Sequence, residues 1–225
     1  MIKKLYYRLL QMSAKPEDRG GISAGYWQSR IRDSAIKSCG SAAGRLLEAG
    51  CGEGLFLRDL LKTSPGLSVF GVDLYIEQLT EAARKVARDT PGKAAFVQAD
   101  VTALPFKDGS FDNVVAINLI LNMASQAMID WLLKETARVC KEGGRIIFDI
   151  RNSKSPVIYI KYKLAPLYDA SVKAKNLPLS ACDPEKVEKK LRDMGFDVVN
   201  KTYIGFPKGK FAPVIVFEAR KTGKQ

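Results

Sequence analysis

Apolar and polar positions along residues 45–150 recur in two different periods. Short apolar runs at Arg45–Ala49, Leu67–Asp73, Ala94–Gln98, Phe111–Ile117 and Arg145–Ile150 read as strands. Between them, Leu55–Leu61, Ile76–Arg88 and Gln126–Cys140 carry apolar residues at helical intervals; in the second these are Ile76, Leu79, Ala82, Ala83 and Val86, with charges between. Lys141–Gly144 reads as the turn into the fifth strand. Strands separated by helices of this length predict an α/β fold with a parallel sheet wound on both faces. Beyond residue 150 the rhythm changes. Asp183–Gly195 reads as a helix that Asp183 caps, Pro184 begins and Gly195 closes. Two strand-like runs follow, Phe196–Ile204 and Val214–Ala219, joined by GFPKGKFAP with no helix. A connection of that length makes a hairpin, so the last strand should enter the sheet antiparallel.

Composition narrows the classes. The chain has 225 residues, of which 46% are hydrophobic, as expected for one globular domain with room for an insertion. The longest candidate membrane span, around Val114–Met123, is broken by Asn118 and Asn122, and the opening MIKKLYYRLLQMS is charged where an export signal would be apolar. The four cysteines, Cys39, Cys51, Cys140 and Cys182, form no C-x-x-C and read as reduced thiols of a cytoplasmic protein, with no metal site. The net charge of +12 is unevenly placed: residues 1–43 carry +5, residues 44–150 carry −2 and residues 151–225 carry +9. Basic flanks around a neutral middle suit an anionic substrate, a nucleic acid or an anionic membrane; a solvated lysine-rich surface is the plainer alternative.

The stretch LLEAGCGEGLFL places Gly50, Gly52 and Gly54 where the first strand becomes a helix, a geometry that lets ligand approach bare backbone. Its spacing is not G-x-G-x-x-G, and it lacks the Gly-Lys-Ser/Thr ending of a phosphate loop. Glu48 and Glu53 would repel a pyrophosphate but tolerate a cationic or zwitterionic ligand. Asp73, ending the second strand in GVDLY, is placed to accept hydrogen bonds from both hydroxyls of a ribose. Asp100, in QADV, can accept from an adenine amino group, with the Val101 amide available to a ring nitrogen. Together these describe a site for an adenosine whose other end is positively charged. Cys51 reads as a small packed residue rather than a nucleophile.

The ordered strings E-A-G-C-G-E-G, G-V-D, Q-A-D-V, L-P-F-x-D-x-S-F-D-x-V and K-x-G-G-R resemble the class I S-adenosylmethionine-dependent methyltransferases, in particular the small-molecule branch of ubiquinone and menaquinone methyltransferases. The resemblance covers residues 44–150. It implies a Rossmann-like doubly wound sheet of seven strands with the last one antiparallel, and S-adenosyl-L-methionine as cofactor, leaving as S-adenosyl-L-homocysteine. It further implies that Glu48, Gly50, Cys51, Gly52 and Gly54 surround the methionine part, that Asp73 and Leu74 take the ribose and Asp100 and Val101 the adenine, and that Asn118 lies near the transferred methyl.

Methyl transfer from a sulfonium is an in-line displacement whose reactive carbon belongs to the cofactor. The chain has no histidine, and the sequence singles out no catalytic residue. Asn118-Leu119-Ile120-Leu121 departs from the Asn/Asp-Pro-Pro-Tyr signature, which weighs against base amines or glutamine side chains as acceptors; the carboxylate set of metal-dependent catechol methyltransferases is also missing. Selectivity is expected from the flanks. In residues 1–43, Tyr26, Trp27, Arg30 and Arg32 belong either to a lid over the cleft or to a packing helix. Arg151 is a further candidate substrate contact, and the insertion after it, at about 153–182, carries Tyr159, Tyr162 and Tyr168 among lysines and reads as a cap for an aromatic, amphiphilic or anionic acceptor. Helix Ile2–Met12 has an apolar and a basic face, suited to an anionic membrane or to packing on its own domain. The leading function is methylation of a small molecule. An RNA methyltransferase using the basic flanks and a non-catalytic cofactor-binding protein are the alternatives, and the oligomeric state is not encoded legibly.

Overall fold

The structure, a computed structural model, describes residues 25–40, 42–90, 92–168 and 180–222, the side chains of 166–168 excepted. The expected helix Ile2–Met12 and most of the second half of the insertion lie outside these residues. In chain order the elements are α1 (Tyr26–Cys39), β1 (Arg45–Ala49), α2 (Leu55–Thr63), β2 (Ser68–Asp73), α3 (Ile76–Asp89), β3 (Ala94–Gln98), β4 (Phe111–Ala116), α4 (Gln126–Val139), β5 (Cys140–Arg151), α5 (Pro156–Tyr168), α6 (Pro184–Asp193), β6 (Phe196–Ile204) and β7 (Val214–Lys221). Short 3-10 turns occupy Ile120–Asn122 and Gly209–Phe211.

Seven strands form one sheet in the order β3-β2-β1-β4-β5-β7-β6. β1 pairs in parallel with β2 and β4, β2 with β3, and β4 with β5, whereas β7 runs antiparallel to both β5 and β6. The last strand is therefore reversed as expected, and it lies inside the sheet between two strands that precede it in sequence. Alternation along each strand splits the core into two layers. Leu47, Val114, Phe148 and Phe217 meet α4 and α6 on one face, while Leu46, Val115, Ile147 and Val216 meet α1, α2 and α3 on the other. Burial of these apolar side chains on both faces is what makes the strands read as nearly continuous hydrophobic runs.

One expectation is corrected. Lys141–Gly144 is not a turn preceding the fifth strand but a bulge within it: the register steps from Phe111↔Cys140 to Asn113↔Arg145, and Lys141 reaches Asp112 at 2.8 Å. Glycines mark bulges as readily as turns, so the sequence pattern could not separate the two. Of the two readings of α1, the packing helix describes one of its faces: Ile31, Ala35 and Cys39 are buried in the same layer as Leu46 and Leu57.

The LPFKDGSFD loop is held from α4. Arg138 donates to the carbonyls of Leu104 (2.9 Å) and Phe106 (2.7 Å), to Asp108 (2.7 Å) and to Glu135, which accepts from the Leu104 amide. Beneath it Phe70, Phe106 and Phe111 pack edge to face, and Arg45 lies over Phe70 at 4.7 Å. Among the described residues no helix is long and apolar enough to cross a membrane.

Two predictions follow from this packing. A Cβ added at Gly71 in β2 would sit 2.8 Å from both Cys51 Sγ and the Phe96 ring. Gly71→Ala should therefore destabilise the protein by about 1–3 kcal/mol, read as a lower urea midpoint with unchanged slope. All four cysteines are buried, and burial pushes the Cys39 and Cys140 thiols up to about 12 and Cys182 to about 11, with Cys51 also raised. At mildly alkaline pH a chromogenic aromatic disulfide should titrate no thiol rapidly until denaturant is added; a fast native phase would contradict that packing.

Candidate active site

The carboxyl ends of β1 to β4 open into a cavity of about 560 Å³ at the point where the strand order reverses, between β1 and β4. Ligands of open parallel sheets bind at such switch points. The turn between β1 and α2 forms its floor. The amides of Gly50 and Cys51 donate to the carbonyl of Val72 at 2.7 and 2.9 Å, and the Gly52 amide donates to Asp73 Oδ2 at 2.8 Å. Asp73 Oδ1 accepts from the Tyr75 amide at 3.1 Å. Asp73 thus clamps the glycine turn and the start of α3 together, while its carboxylate still lines the cavity.

The glycines divide their work. A Cβ on Gly54 would lie 2.9 Å from that of Ala82, so Gly54 lets α3 pack against the turn and does not line the cavity. A Cβ on Gly52 would meet nothing closer than Gln78 Oε1 at 3.9 Å, which leaves its backbone bare to the cavity. At Gly50 the side chain of Leu119 occupies the space a Cβ would need.

The charges of the turn are held in different ways. Glu53 is ion-paired with Lys85 of α3, which also reaches Glu81 at 3.3 Å. Glu48 is buried, and burial raises its carboxyl well above the usual range; the Arg32 guanidinium opposes that shift and Asp73 adds to it. Its Oε2 has no hydrogen-bond partner among the described residues. Arg32 comes from α1, pairs with Asp59 at 3.3 Å and lines the same cavity. Asp100 accepts from the Thr102 amide (2.8 Å) and hydroxyl (2.7 Å) through Oδ1, and these donors hold its carboxyl below the usual range. Beyond β4, Asn118 has φ 55° and its amide donates to Asp149. Its Oδ1 is buried without a hydrogen-bond partner.

Of the ten residues expected around a cofactor, nine line this cavity: Glu48, Gly50, Cys51, Gly52, Asp73, Leu74, Asp100, Val101 and Asn118. Of the residues expected at a substrate, the six whose side chains are described do not line it. Tyr26, Trp27 and Arg30 line a separate cleft between α1 and β6, with Tyr203 and Lys208, because α1 turns only its Arg32 face toward the strand ends. Arg151 is buried in an ion pair with Asp149 at 2.6 Å. Tyr159 is 64% exposed beside Lys163, and neither it nor Tyr162 lines the cavity; the Tyr168 side chain lies outside the described residues. Among the cavity's other lining residues, Phe56, Tyr75, Gln78, Asn122, Met123 and Met128 were missed. The one available signal was Ser125, whose side chain accepts from the Met128 amide and caps α4, which places two methionines beside a helix start at the strand ends.

An orphaned buried carboxylate oxygen, a bare glycine backbone and two carboxylates at neighbouring strand ends fit S-adenosylmethionine, whose sulfonium and ammonium groups are cationic and whose ribose and adenine carry donors. Comparison with known proteins agrees. Residues 46–144 match the family described as a methyltransferase domain. A demethylmenaquinone methyltransferase of Thermus thermophilus is 33% identical over 121 residues, 54% of this chain and 52% of that protein. A second one, of Roseiflexus castenholzii, is 26% identical over 199 residues, 82% of this chain and 79% of its own. The first of these matches thus spans about half the relative's length. In fold, the chain superposes on magnesium protoporphyrin IX methyltransferase of Synechocystis with bound S-adenosylhomocysteine at a TM-score of 0.69 and 17% identity, covering 98% of this chain and 96% of the other. Residues 46–144 are thus similar to a methyltransferase domain, and the chain as a whole shares the fold of a methyltransferase crystallised with S-adenosylhomocysteine.

Proposed function

We propose that this protein transfers the methyl group of S-adenosylmethionine to a small, amphiphilic or aromatic acceptor by in-line displacement. The observation that carries the reading is the order of groups across the strand ends: Asp100 after β3, Asp73 on β2, Glu48 and the glycine turn at β1, and Asn118 after β4. In that order they suit adenine, ribose, amino acid and methyl. Asp100 and the Val101 amide would hold the adenine, Asp73 and Leu74 the ribose, and Glu48 the ammonium. Arg32, the cation α1 brings to the cavity, would take the carboxylate.

The cofactor supplies a methyl already activated on a positively charged sulfur, so the protein's part is to hold the acceptor in line with it, a contribution of about 7–11 kcal/mol. Past Asn118 the wall is made by Leu119, Asn122, Met123 and Met128. Methionines adapt to irregular apolar ligands, and since these four residues include no base, an acceptor atom facing them would attack in its unprotonated form or lose its proton elsewhere. The insertion returns to this wall: Ser180 donates through its hydroxyl to the Met123 carbonyl at 2.7 Å. That contact supports a cap on the acceptor side. The relatives named for demethylmenaquinone are in keeping with a small-molecule acceptor here as well.

Asp73→Ala and Asp100→Ala should each weaken S-adenosylmethionine binding about tenfold or more, the usual effect of losing a hydrogen bond to a charged group; unchanged titration calorimetry would refute the assignment. Asp73→Ala should also lower the unfolding midpoint, because it releases the Gly52 and Tyr75 amides. The reaction is tested by incubating the protein and radiolabelled S-adenosylmethionine with a cell extract. Label in the organic or small aqueous fraction is expected. Label in nucleic acid would replace the acceptor class with RNA, and cofactor binding without label in any fraction would point to a non-catalytic protein.

A further inference from the structure

Asn118 is the only non-glycine residue with positive φ among the described residues. A side chain in the left-handed region persists where its surroundings hold it there. The hold comes from β5. The Asn118 amide donates to Asp149 Oδ1, and Asp149 Oδ2 accepts from Arg151 Nη1 at 2.6 Å. Asp149 and Arg151 are 1% and 2% exposed, and neither lines the cavity. The Arg151 guanidinium lies 5.8 Å from the centre of the Trp27 ring of α1, and Lys161 of α5 sits over the same ring at 4.4 Å. Both helices flank the cofactor domain, one on each side of the matched family segment in sequence.

Stability alone is a poor explanation for this arrangement. Two charges buried in one pair usually do no better than apolar side chains of similar size. The pair's link to the cavity runs through the backbone of Asn118, at the opposite end of the strand row from Asp100.

We propose that Asp149 and Arg151 are positioning residues: they lock Asn118 into its left-handed conformation at the methyl end of the cavity, with Trp27 bracing the pair from α1. The inference rests on the cofactor site proposed above, and it predicts an effect confined to one end of that site. Adenosine, which would engage only the Asp73 and Asp100 end, separates positioning from general loosening.

The test is titration calorimetry of S-adenosylmethionine and of adenosine with wild type, Asp149→Asn, Asn118→Gly and the double variant. Asp149→Asn should weaken S-adenosylmethionine about tenfold, within the range for a charge-assisted bond, and leave adenosine unaffected. Asn118→Gly keeps the backbone conformation without strain but removes the side chain. It should weaken S-adenosylmethionine similarly, and adding Asp149→Asn to it should change the affinity by less than about twofold, since both act on one contact. Arg151→Lys, which keeps the charge, should retain more affinity than Arg151→Met. An unchanged affinity ratio between the two ligands, an equal loss for both, or multiplicative effects in the double variant would overturn the proposal. Should Asp149→Asn fail to fold, Trp27→Leu leaves both charges in place; it should weaken S-adenosylmethionine about threefold and spare adenosine, and no change would overturn the proposal. Failure of the wild type to bind S-adenosylmethionine would instead sink the cofactor reading itself, a result distinct from intact binding with an unchanged ratio.

Discussion

The Gly52 amide must find an acceptor, and it finds Asp73 on the neighbouring strand. That hydrogen bond, with those from Gly50 and Cys51 to the Val72 carbonyl, fastens the end of β1 to the end of β2. The rest of the site depends on it. A turn held this close to β2 needs Gly71 without a side chain opposite Cys51, Gly54 without one opposite Ala82, and a wall from Leu119 on its other side. The same carboxylate that closes the turn faces the cavity. One residue is therefore both part of the frame and part of the surface a ligand would meet, and its substitution cannot separate the two roles by activity alone.

The sheet was legible because its strands bury both faces and its helices keep one apolar stripe each, patterns that local sequence carries directly. The nine cavity residues were legible for a similar reason, since each sits within three residues of a strand end. What was not legible depends on contacts distant in sequence. Arg32, expected to share a lid or packing helix with Tyr26, Trp27 and Arg30, is separated from them because only its face of α1 meets Glu48 and Asp59. Arg151, expected to meet a substrate at the end of a strand, is instead enclosed by Asp149 and Trp27. The glycines of Lys141–Gly144 carry no mark that tells a bulge from a turn.

Charge neutralisation inside the domain is local and directional. Glu53 turns to Lys85, Glu135 and Asp108 to Arg138, and Asp112 to Lys141, so these acids of the central segment each meet a base within the domain. Glu48 differs in that burial prevails and raises its carboxyl, and in having an oxygen without a hydrogen-bond partner among the described residues. A buried acceptor left in this state is costly unless something completes it. It is the feature of the site that most favours a cationic ligand.

The place of β7 has a consequence for how the molecule is made. Its residues lie later in sequence than β5 and β6, yet it fills the gap between them. Until residues 214–221 are available, β5 ends the parallel half of the sheet as a bare edge, with Ile146, Phe148 and Ile150 lacking their partners Ala219, Phe217 and Ile215. Such an edge is a template for unwanted pairing. During synthesis, the nascent chain therefore carries this edge of β5 unpaired until β7 has emerged, and covering of that edge in the interval would guard it against such pairing.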